Sequence, residues 1–112
     1  MGYYTYYSLE IEGSYDNSAL AADFNQLTDI NLEHLSEDTY KWYDWSEDMS
    51  TLSKSYPSLL FTLYGDGEDA DDHWVAYIHN GHVQQECAVL VYPKMDPSKL
   101  NNIDKNHPEL FI

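Results

Sequence analysis

Five carboxylates crowd the stretch from Gly65 to Asp72: Asp66, Glu68, Asp69, Asp71 and Asp72. Side chains of this kind are hard oxygen donors that suit calcium, which takes six to eight oxygens. The EF-hand order, with glycine sixth and glutamate twelfth, is absent, so the run reads first as a polar loop and an interaction surface. Five histidines offer softer ligands: His34, His73, His79, His82 and His107. His79 and His82 flank Asn80-Gly81 and would face each other across a tight turn, but no third ligand is evident beside them. Cys87 is the single cysteine, which excludes an internal disulfide and a Cys-rich zinc site. It lies in a strand-like run with no local base, and reads as a small buried apolar residue. Serine, histidine and aspartate are scattered without a nucleophile elbow. Phosphate loops, dinucleotide fingerprints and zinc spacings are missing as well. The chain is therefore not expected to be an enzyme, nor to need a cofactor or metal. A metal-dependent hydrolase built on the 66–72 carboxylates is the enzymatic alternative.

Those acids belong to a larger imbalance. Twenty Asp and Glu stand against five lysines, with no arginine, for a net charge of −15 over 112 residues. Residues 1–93 hold seventeen of the acids and two of the lysines, and so carry all of that excess. Such a surface repels nucleic acid and anionic membranes and steers basic protein surfaces toward itself. Acidic chains poor in aromatics are disordered, but here eleven Tyr, three Trp and three Phe supply a core. The length fits one domain, expected over 1–93 with a C-terminal extension over 94–112. Without an apolar run of membrane-spanning length or a basic leader, the expected location is the cytoplasm.

The elements that must carry these groups follow from periodicity. Residues 3–12 alternate, with Tyr3, Thr5, Tyr7, Leu9 and Ile11 on one face and Tyr4, Tyr6, Ser8, Glu10 and Glu12 on the other, as in a half-buried strand. Asp16 or Asn17 caps a helix over about 17–27 whose apolar stripe is Leu20, Phe24 and Leu27. Residues 28–38 read as a loop with a turn of helix, and Thr39 to Tyr43 as a short aromatic strand. Ser46 is expected to cap a second helix, with Glu47 and Asp48 in its first turn and Pro57 ending it. Leu59 to Tyr64 makes a central strand. Asn80-Gly81 predicts a two-residue hairpin turn within 73–92, pairing His79 with His82, Ile78 with Val83, Ala76 with Gln85 and Trp74 with Cys87. One hairpin face then carries Trp74, Ala76, Ile78, Val83, Cys87, Val89 and Val91. Asp96-Pro97 starts a capped turn, and Leu110, Phe111 and Ile112 are placed to dock on the body or a partner. The expected fold is α+β: a two-layer sandwich of a mostly antiparallel sheet of about five strands, with two helices on one face.

Charge of this kind on a rigid frame suggests a mechanism. Duplex DNA carries a phosphate charge about every 1.7 Å of axis, and a domain with fixed carboxylates can occupy a groove built for that polymer. The expected partner is a basic, nucleic-acid-binding protein rather than nucleic acid itself. The contacts fall on Glu37, Asp38, Asp44, Glu47, Asp48, Asp66, Glu68, Asp69, Asp71 and Asp72, with exposed Tyr4 and Tyr6 as aromatic anchors. An immunity-type or adaptor module uses the same electrostatics. A second copy docked through the exposed sheet face is an open partner too.

A set of residues also resembles a small family of uncharacterised acidic proteins of bacteriophage genomes. It comprises Met1-Gly2-Tyr3-Tyr4, Lys41-Trp42-Tyr43, Glu47-Asp48-Met49, Leu52-Ser53, Tyr56-Pro57, Leu60-Phe61-Thr62-Leu63, Gly65-Asp66-Gly67-Glu68, Trp74, Tyr77 and Asn80-Gly81. Where that pattern has basic residues after Trp74, this chain has Val75-Ala76. The resemblance implies a phage context, in which small acidic proteins block host defence by imitating nucleic acid. It sharpens the expected partner to a CRISPR effector or restriction nuclease.

Overall fold

Residues 2–100 are described by a computed structural model. An antiparallel five-stranded sheet carries two helices on one face, in the order β2-β1-β3-β4-β5. The α+β class and the layer arrangement are as expected from the sequence. Leu110, Phe111 and Ile112 lie outside the described residues, as does the extension beyond 100. Among the described residues, no helix is long and apolar enough to cross a membrane.

Strand β1 (Thr5–Glu12) buries Thr5 and Tyr7 and exposes Tyr6, Ser8, Glu10 and Glu12, as its alternation requires. It pairs along its length with β3 (Leu60–Gly67), which is the centre of the sheet. Helix α1 (Asn17–Thr28) starts where the Asp16 carboxylate accepts the Ala19 N–H at 3.1 Å, and stops where Asp29 turns to φ 61°. Leu20 and Phe24 are fully buried, but Leu27 is 37% exposed, so the stripe is narrower than its spacing implied. A 3-10 helix (Leu32–Glu37) follows, tied to α1 by the Leu32 N–H donated to Asn25 Oδ1 at 2.8 Å.

Strand β2 is only Thr39–Tyr40, not a strand to Tyr43. Its two residues face Tyr6 and Thr5. Position 41 would face Tyr4, which precedes β1, so the ladder has nothing to continue on and the chain turns Trp42 into the core, 5% exposed. Helix α2 (Trp45–Ser55) begins one residue before the expected cap at Ser46, because the first carbonyl to accept is that of Asp44, from the Asp48 N–H at 2.9 Å. Ser53, a polar residue in the apolar stripe of α2, is fully buried and fully used. Its hydroxyl donates to the Ser50 carbonyl and accepts the Gly81 N–H, both at 2.8 Å, and so pins the hairpin turn to the helix.

β4 (His73–His79) and β5 (His82–Cys87) pair in the expected register, with Asn80 at φ 44° and Gly81 at φ 84° supplying the positive dihedrals of the turn. The hairpin ends sooner than its apolar pattern suggested. The Ala88 N–H donates to the His73 carbonyl at 2.8 Å, and residue 89 would then face Asp72, which lies beyond the start of β4. Cys87 is therefore exposed, and Val89 and Val91 are 81% and 76% exposed rather than part of a buried face. Asp96 caps a short 3-10 turn (Pro97–Lys99), as expected.

Candidate binding site

The sequence signals of a loop at Gly65 conceal the site. β3 continues through Gly67, so Gly65, Asp66 and Gly67 are strand residues, and the polar loop is only 68–72. On the helix side of the sheet, Tyr7, Gly65 and Trp74 form one row across three strands. A Cβ on Gly65 would fall inside the Trp74 indole, and one on Gly67 would collide with the Asp72 carboxylate and the Tyr3 hydroxyl. The two glycines let large groups lie flat against the sheet, a close approach no other residue permits.

Rings then enclose a space above that row. Trp74 meets the edge of Tyr7 at 6.1 Å and stacks on Trp45, the first residue of α2, at 4.6 Å and 22°. Trp42 closes the inner side, edge-on to Tyr7 at 5.2 Å and to Phe24 at 5.4 Å. Its indole N–H donates to Asp48 Oδ2 at 2.7 Å, and its carbonyl accepts the Tyr7 hydroxyl at 3.1 Å. Tyr43, 64% exposed, guards the outer side, its hydroxyl accepting the Tyr3 N–H at 2.8 Å. The result is a cavity of about 190 Å³ with aromatic walls and one carboxylate, Asp72. The Tyr3 hydroxyl donates to Asp72 Oδ2 at 2.6 Å and accepts the Asp69 N–H at 3.1 Å. The Asp69 bond lowers the Tyr3 pKa, but the Asp72 bond, lost hydration and the two nearby carboxylates outweigh it, and the phenol titrates above its ordinary value.

The expected contact residues fall in four places. Asp44, Glu47 and Asp48 at the start of α2 come to the same end of the sandwich as Glu68, Asp69, Asp71 and Asp72, since Trp42, Tyr43 and Trp45 line one cavity with Asp72. Asp44, Glu47, Glu68, Asp69 and Asp71 are exposed. Asp66 and Tyr6 face each other across β1 and β3 on the opposite, helix-free side of the sheet. Glu37 and Asp38 lie off the outer edge of β1, Glu37 against His34 and Asp38 accepting the Thr39 N–H at 2.7 Å. Tyr4 already holds a cation, with the Lys41 ammonium 5.0 Å from its ring centre. A single face carrying all ten acids does not form. The loop group and the α2 group do converge.

His73 anchors the loop from below. Nδ1 lies 2.6 Å from Asp66 Oδ1 and Nε2 lies 2.8 Å from the Ala70 carbonyl. Both oxygens accept, so the contacts favour a ring that donates from both nitrogens, the imidazolium. The Asp66 bond, then the Ala70 bond, raise its pKa above the ordinary value, against a smaller effect of desolvation. A raised folded pKa means the anchoring is complete below the unfolded value of about 6.5 and is lost as pH rises through the folded value. We expect the Gly67 amide, which closes the loop onto Asp72 at 2.8 Å, to exchange faster across that rise, in step with the His73 ring resonances. Exchange that ignores the His73 titration would remove this anchor.

His79 and His82 face each other as expected. Among the described residues, no group of three or more His, Cys, Asp or Glu side chains is placed to hold a metal ion. Residue type alone does not join Tyr3, Tyr43, Trp45 and Trp74 into one site, nor mark Gly65 and Gly67 as the positions that let Trp74, Asp72 and Tyr3 pack there. The hairpin register had already placed Trp74 on the buried face, which was the available clue. No protein-family model, curated protein or solved structure matches the chain.

Proposed function

We propose that this protein is a non-enzymatic inhibitor that occupies the nucleic-acid groove of a basic host protein, in the manner of a phage protein directed at a defence nuclease or effector. The observation that carries the reading is the convergence of two acid groups, distant in sequence, at one end of a rigid sandwich around aromatic rings. Asp44 and Glu47 stand on a helix, while Glu68, Asp69 and Asp71 stand on a loop closed by backbone bonds from Gly67 to Asp72 and from Asp72 to Asp69. A backbone held this way loses little freedom on binding, which is what a substitute for a stiff polyanion requires. Tyrosine and tryptophan beside them supply area and a polar tip where a basic surface docks. The residues that carry the resemblance to phage acidic proteins include Trp42, Tyr43, Glu47, Asp48, Gly65, Gly67 and Trp74, all of which fall at this end of the fold.

The test is capture of host nucleic-acid-binding proteins on the immobilised chain, followed by elution with duplex DNA. We expect a basic nuclease or effector to be released by DNA and by salt, because contacts among exposed charges are screened beyond about 8 Å at physiological ionic strength. A complex that excess DNA and moderate salt both leave intact would overturn the mimic reading.

A further inference from the structure

We propose that the aromatic cavity is a receptor for one arginine side chain of the partner. The assignment rests on the reading of the chain as a binder of a basic protein, and is tested apart from it. Three observations point to a guanidinium. Five rings line it, Tyr7, Trp42, Tyr43, Trp45 and Trp74, and a ring face open to the space attracts a cation through its quadrupole. A carboxylate stands among them, and Tyr3 occupies only Oδ2 of Asp72, so Oδ1 can accept from an entering N–H. Lys41 lies over the ring of Tyr4, outside the cavity, so a tyrosine of this molecule already holds a cation.

Guanidinium fits better than ammonium. It is planar, stacks on aromatic faces and is weakly hydrated, so it enters a slot of mixed aromatic and polar walls at lower cost than a lysine head group. The chain itself contains no arginine. Neither its own tail nor a second copy can fill the cavity with this group, and the occupant must come from a different protein. Exposed acids adjoin the lining residues in the chain, Asp44 between Tyr43 and Trp45 and Asp71 before Asp72, and would bring a basic segment to the entrance. The cavity would then fix the register of the docked surface, a task that diffuse charge performs poorly.

The experiment is an NMR titration of the isolated full chain with N-acetyl-arginine amide, following the three tryptophan indole N–H signals. One charged hydrogen bond plus cation–π contact predicts a dissociation constant of about 1–10 mM. Saturable shifts at Trp45 and Trp74, absent with the citrulline amide and weaker with the lysine amide, are the expected result. Asp72→Asn should weaken binding at least about tenfold. Tyr43→Ala, at an exposed position that the fold tolerates more readily, should weaken it about threefold. Absence of saturable shifts, an equal response to citrulline or lysine, or arginine affinity unchanged in both variants would overturn the assignment. If arginine binds but DNA does not displace the captured protein, the mimic reading fails and the pocket stands. The reverse pattern removes the pocket and leaves the mimic.

Discussion

Gly65→Ala will destabilise the protein by about 1–2 kcal/mol, although alanine is the better strand residue. Replacing a strand glycine ordinarily returns about 0.5–1 kcal/mol of conformational entropy, but overpacking a filled site costs about 1–3 kcal/mol. The second effect wins here because the new methyl would enter the Trp74 ring itself. That ring moves only at the expense of its neighbours: it is stacked on Trp45 and set against Tyr7, and Tyr7 is 4% exposed beneath Trp42. The displacement therefore spreads into the aromatic cluster and distorts the cavity. Denaturant unfolding should show a lower midpoint with an unchanged slope, and near-UV circular dichroism should lose the signal of the stacked indoles. The cause is separable by a double-mutant cycle with Trp74→Leu. Once the indole is gone, the added methyl should cost nothing or be favourable. A full penalty in the Trp74→Leu background would mean that Gly65 serves the backbone rather than the ring.

This coupling shows which parts of the molecule could be read from its residues. Elements decided by a local rule were legible. Asn80-Gly81 carries both positive dihedrals its turn needs, and from that point the whole β4–β5 register follows by counting. Leu20 and Phe24 in α1, and Met49 and Leu52 in α2, recur at helical spacing because each pair faces the sheet. Elements decided by what lies opposite were not. Val89 and Val91 have the residue types of a strand, yet β4 begins at His73 and offers them no partner. Gly65-Asp66-Gly67 has the composition of a turn, because glycine and aspartate are poor strand formers in general. Its glycines are present because Trp74, Tyr3 and Asp72 pack over them, a fact that belongs to residues distant in sequence. The site was half legible for the same reason. Charge could be located along the chain, whereas the cavity depends on β3, β4, α2 and Tyr3 meeting at one end.

Neutralising Asp44, Glu47, Asp69 and Asp71 together, to Asn and Gln, will leave the fold intact and slow association with the DNA-displaceable partner by about tenfold or more, the range over which electrostatic steering acts. These four carboxylates are exposed and carry no side-chain hydrogen bond in the described residues. Their loss removes repulsion within the body without orphaning a donor, which offsets the lost interaction of Asp44 and Glu47 with the start of α2, and the melting temperature should change little. Asp48 and Asp72 are left in place because they anchor Trp42 and Tyr3. Total charge is a competing explanation, since a body at −15 attracts any basic protein whatever the arrangement. The control is a second quadruple variant with the same number of charges removed elsewhere: Glu10→Gln, Glu12→Gln, Asp29→Asn and Glu33→Gln. Glu10 and Glu12 lie on the helix-free side of β1, while Asp29 and Glu33 flank the turn after α1, and none of the four lines the aromatic cavity. If position matters, the control slows association far less than the first set, at equal net charge and equal salt. Equal slowing would mean that the partner senses only the overall field, and the converged acids would lose their claim to be the contact surface.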